Sequence, residues 1–67
     1  MKCTIVIYLV NDSERIDAVS LAQSEHAQLT EHGRELTIRF QDAPPEEVHA
    51  AIARAERFTH HSIDCHA

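Results

Sequence analysis

Residues 4–10 read Thr4-Ile5-Val6-Ile7-Tyr8-Leu9-Val10, an uninterrupted apolar run rich in β-branched and aromatic side chains. The run is too short for an ordinary helix and reads as a buried strand. Alternation sends Ile5, Ile7 and Leu9 to one face and Val6, Tyr8 and Val10 to the other. With both faces apolar, the strand is expected to be covered on both sides.

Working outward, Asn11-Asp12-Ser13 ends the strand and offers helix caps, and Glu14 and Asp17 suit the positive end of a helix dipole. Over 14–32 the composition favours helix. Ile16, Val19, Ala22, His26 and Leu29 share one face at 3.6-residue spacing, Leu21 falls outside that stripe, and Gly33 stands where a helix would end. A second reading closes a hairpin at His32-Gly33; the helix-favouring composition ranks the helix first. Residues 35–41 alternate, with Leu36, Ile38 and Phe40 on one side and Thr37 and Arg39 on the other, which is a strand with one wet face. Asp42-Ala43-Pro44-Pro45-Glu46-Glu47 starts a second helix, because proline is tolerated and acids are favoured in a first turn. Its buried stripe is Val48, Ala51, Ile52, Ala55 and Phe58. Residues 62–65 read as a short third strand, within a segment 59–67 that is either strand or flexible tail. The expected fold is a small α+β or α/β domain spanning 1–67: two layers, order β-α-β-α(-β), two or three strands and two helices.

At 67 residues the chain buries only ~60% of the surface its unfolded form exposes, so a staple or a partner is expected. Cys3 and Cys65 are the only cysteines. A bridge between them is geometrically allowed but not dictated by their spacing. Two cysteines are too few for a disulfide framework, and a cytoplasmic location is the expectation. The formal net charge is −5, and Lys2, Arg15, Arg34, Arg39, Arg54 and Arg57 are scattered. That distribution argues against direct nucleic-acid binding and against an anionic membrane surface. No apolar run approaches the ~18–20 residues of a membrane span.

Chemistry-bearing motifs are sparse. With one glycine there is no phosphate-cradling loop, and no serine or cysteine lies in a recognisable nucleophile motif. Lys2 stands where tautomerases of similar length carry a catalytic N-terminal proline, so that resemblance stops at the residue that matters. No enzyme activity and no cofactor are expected. Six histidines is a high count, and His60, His61, Cys65 and His66 cluster at the C-terminus as metal-donor types, without the two separated ligand pairs of a structural zinc site. His26, alone on an apolar stripe, reads as a core histidine held by a carbonyl or carboxylate; Glu46 and His49 read as an exposed helical pair.

The function these features support is a small acidic non-catalytic interaction protein: an inhibitor, adaptor or regulator, of the kind phages direct at host or defence proteins. It would act by protein–protein binding, as a homodimer. Val6, Tyr8 and Val10 are the expected apolar contacts, and Asp42, Glu46 and Glu47 the expected acidic ones. The alternative is a metal-binding protein using His60, His61, Cys65 and His66.

Overall fold

The opening apolar run forms β1, Lys2–Tyr8, in a computed structural model that describes residues 1–66. It is followed by α1 (Glu14–Ser20), β2 (Ala27–His32), β3 (Glu35–Phe40), α2 (Pro45–Ala55) and β4 (His60–His66). The strands form one sheet in the order β2-β3-β1-β4, with every neighbouring pair antiparallel. Two β-α-β halves are thereby interleaved, with β1 and β3 in the centre. This is the split βαβ, or ferredoxin-like, arrangement. The expected α+β class holds, with four strands rather than two or three.

The extra strand comes from the segment read as one long helix. Helix α1 stops at Ser20, and residues 27–32 pair with β3 as a hairpin, the reading ranked second from sequence. Gly33 therefore caps no helix. It opens the two-residue loop Gly33-Arg34 at φ 63°, the left-handed conformation that a tight hairpin turn of the primed type requires and glycine adopts freely. The face of α1 differs too. Leu21, outside the expected stripe, is buried at 4% exposure together with Ala18, while Ile16 is 79% exposed. A seven-residue helix presents only two turns to the sheet, and Ala18 and Leu21, three apart, define its inward side. Residues 60–66 form a full edge strand along β1 rather than a tail.

Helix α2 follows expectation. Pro45 begins it, and Val48, Ala51 and Ala55 are buried, with Ile52 and Phe58 packed at the margin of the core. Both helices lie on the same side of the sheet. Ile5, Ile7, Leu36, Ile38 and Phe40 point toward them and are almost fully buried. Cys3 belongs to the same layer and is joined to Cys65 by a disulfide. The two cysteines are direct cross-strand partners in the β1–β4 register.

The side of β1 that carries Val6 and Tyr8 has no helix above it, which corrects the expectation of a strand covered on both faces. Val6 is half-buried between its neighbouring strands, and Tyr8 is 47% exposed. The sequence could not reveal this, because two apolar faces look alike until the placement of both helices is known.

Candidate functional site

The strand registers fix the bare face residue by residue. Tyr8 of β1 lies between Glu35 of β3 and His60 of β4, with His32 of β2 beyond Glu35. In the next row Val6 lies between Thr37 and Ser62, with Thr30 beyond Thr37. Thr4 lies between Arg39 and Asp64, with Gln28 beyond Arg39, and Lys2 and His66 close the corner. The face is thus a grid of short hydroxyl-bearing and apolar side chains at its centre, framed by charged, aromatic and imidazole groups. Its fixed charges are Lys2 and Arg39 against Glu35 and Asp64, so it is close to neutral although the chain carries −5. The acidic excess lies in the helices and loops.

The residues singled out from sequence fall in three places. Val6 and Tyr8 sit together on the bare face; Val10 lies past the end of β1, 47% exposed, with its N–H donating to Glu14 Oε1 and its carbonyl accepting from Arg34. Asp42 is exposed in the β3–α2 loop at φ 55°, a left-handed conformation that aspartate tolerates better than most residues. Glu46 is exposed on α2 and, among the described residues, forms no ion pair with His49. Glu47 is half-buried and engaged by His26. Asp42 lies beside Gln28 and Arg39 at one end of the bare face, whereas Glu47 is turned to His26.

Glu47 and His26 form the most structured polar cluster. His26, in the loop before β2, places Nδ1 3.1 Å from Glu47 Oε2, and its backbone N–H donates to Ser24 Oγ at 3.1 Å. Of the core histidine held by a carbonyl or a carboxylate, the carboxylate is present, but the side chain is 34% exposed and the residue lies on a loop rather than in the core or on a helix. The Glu47 carboxyl is held below the ordinary carboxylate range, first by the hydrogen bond from the Ser24 hydroxyl and further by His26, with desolvation opposing. A lowered carboxylate pKa means that the folded state binds the proton less tightly than the unfolded state. Its stabilisation is therefore full above the unfolded pKa and is lost as pH falls through the folded one. Glu47→Gln should lower the melting temperature at pH 7, and the deficit should shrink as pH falls below the ordinary carboxylate range. Thermal melts of both proteins from pH 7 down through that range check this, and a constant offset at every pH would contradict it.

The C-terminal donors do not converge. Alternation along β4 puts His60 and His66 on the bare face and His61 and Cys65 on the helix side. His61 Nδ1 lies 2.9 Å from the Phe58 carbonyl, His66 Nε2 is 3.4 Å from Asp64, and the Cys65 sulfur is bound to Cys3. Among the described residues no group of three or more His, Cys, Asp or Glu side chains is placed to hold a metal ion. Among the described residues no helix is long and apolar enough to cross a membrane.

Neither the models of known protein families nor the curated proteins yield a match to this sequence.

Proposed function

We propose that the chain is a non-catalytic protein-binding domain, an inhibitor, adaptor or regulator, which receives its partner on the bare face of the sheet. The observation that carries this reading is the one-sided packing: both helices cover one face, and Val6, Tyr8, Thr37 and Arg39 are left uncovered on the other. A flat sheet face with an exposed tyrosine and arginine beside small side chains has the make-up of an interface core, where those two residue types contribute most. Its near neutrality does not favour nucleic acid, which needs clustered cations. A partner of mixed polarity fits it better than a purely basic one.

The disulfide bears on where this happens. Bridges of this kind persist in oxidising compartments. We place the working protein there rather than in the cytosol suggested by the low cysteine count.

Substitutions separate the two sides of the molecule. With the protein immobilised and its cognate partner purified from the producing cells, Val6→Asp and Arg39→Glu should each weaken binding by roughly tenfold or more. Glu56→Lys, on the helix side, should leave it within about twofold. Equal losses from both sides, or loss from Glu56→Lys alone, would overturn the assignment.

A further inference from the structure

The ladder hydrogen bonds reveal which backbone groups of β4 are free. The Leu9 N–H donates to the Arg34 carbonyl at 2.9 Å, continuing the β1–β3 register. In an antiparallel ladder successive residues point their N–H and C=O groups to opposite sides. The odd-numbered residues of β1 therefore bond to β3, and Lys2, Thr4, Val6 and Tyr8 bond to β4. Their partners are His66, Asp64, Ser62 and His60. His61, Ile63 and Cys65 are left with both backbone groups pointing away from the sheet, and no turn or loop hydrogen bond among the described residues engages them.

We infer that this edge pairs with β4 of a second copy across a two-fold axis at Ile63. The register follows from the strand itself. Ile63 is the midpoint of His60–His66, and the outward residues are symmetric about it. Antiparallel pairing there sets Ile63 opposite its own equivalent and His61 opposite Cys65 on each side. All three outward residues become hydrogen-bonded pairs, each exchanging two N–H···O bonds. On the bare face the register sets Ser62 opposite Asp64 of the other copy, twice, in the closely spaced pairs where a hydroxyl donates to a carboxylate at short range. On the helix side the half-buried Ile63 meets its equivalent and extends the core. The result is one continuous eight-stranded sheet with a doubled bare face.

The two edges of the sheet are not equivalent. On β2 the Ala27 N–H already donates to the Ser24 carbonyl, and Arg15 spans from α1 to Glu31 and the Gly33 carbonyl. β4 carries no lysine and no proline, and Asp64 is its one carboxylate, so little keeps this edge from pairing. Ser62 and Asp64 also belong to the bare face, but the dimer is made by the backbone edge of β4 and read by mass alone, so it and partner binding can fail separately.

Light scattering on the oxidised protein at tens of micromolar should give twice the 7.6 kDa chain mass. Ser62→Asp sets carboxylates against Asp64 of the other copy and should raise the dissociation constant by about tenfold. Adding Asp64→Ser exchanges the pair and should restore dimerisation. A synthetic chain N-methylated at Ile63 loses only an outward N–H and should be a folded monomer, which keeps the test valid if Ser62→Asp does not fold. A monomeric wild type at that concentration would overturn the inference, as would a dimer unaffected by N-methylation.

Discussion

Reduction of the Cys3–Cys65 bridge should lower the melting temperature by roughly 15–30 °C. The bridge spans a sequence separation of 62, nearly the whole chain. Closing a loop of that length removes unfolded-state entropy worth about 4 kcal/mol. A single core in a chain this small rarely supplies more than ~3–5 kcal/mol, so the bridge is comparable to everything else that holds the fold. At ~4–8 °C per kcal/mol for a domain of this size, the shift follows. The element most exposed to the loss is β4, which is anchored on the helix side only by Ile63 and Cys65 at the core margin. Thermal melts with and without a dithiol reductant make the measurement, with Cys3→Ser/Cys65→Ser as the non-reducible control. A reduced protein melting within a few degrees of the oxidised one would show that the four strands are stable unaided.

The second large effect separates Ile16, within α1, from Leu21, just past its end. Leu21→Ala should destabilise by about 2–5 kcal/mol, because it removes three methyl-sized groups from a site that the surrounding core cannot refill. Ile16→Ala should cost about 0.5 kcal/mol or less, because Ile16 stands 79% exposed and buries little. In oxidised protein, denaturant melts should show the first variant near the limit of folding and the second close to wild type. The reverse order would mean that the apolar stripe through Ile16, Val19 and Ala22 faces the sheet after all, as a longer helix would require.

That reversal marks where the sequence stops being legible. β1, β3 and α2 are plain in it because each has one strong signal: an unbroken β-branched run, a clean two-residue alternation, a proline start followed by a four-residue apolar rhythm. The segment 14–32 has no such signal. Ala, Gln, Glu and Leu favour helix locally, yet residues 27–32 are drawn into the sheet because β3 presents an edge and Gly33 permits the tight turn. There, pairing across strands outweighs intrinsic preference. β4 is obscured for a related reason. Its helix-side positions are His61, Ile63 and Cys65, of which only Ile63 looks apolar in sequence, and the pattern appears only once the register with β1 is known.

The candidate surface was half legible. Val6 and Tyr8 were identifiable as a second apolar face and as expected contacts, and they do lie on the bare face. Their companions Thr37, Arg39, Ser62 and Asp64 were not, since membership of the face is set by cross-strand register rather than by residue type. Glu47 was expected to be an acidic contact with a partner, alongside Asp42 and Glu46. Its hydrogen bonds to Ser24 and His26 arise from a contact between α2 and the loop before β2, 21 positions apart in sequence from His26, which no local pattern encodes.

The most direct test of the partner-binding face is site-specific photo-crosslinking in the cells that produce the protein. A photoreactive side chain in place of Tyr8 projects from the centre of one row of the bare face; the same group in place of Glu56 projects from the helix side. The bare-face account predicts a discrete adduct with another protein from position 8 and none from position 56. Adducts from position 56 alone would contradict it and move the interface to the helices.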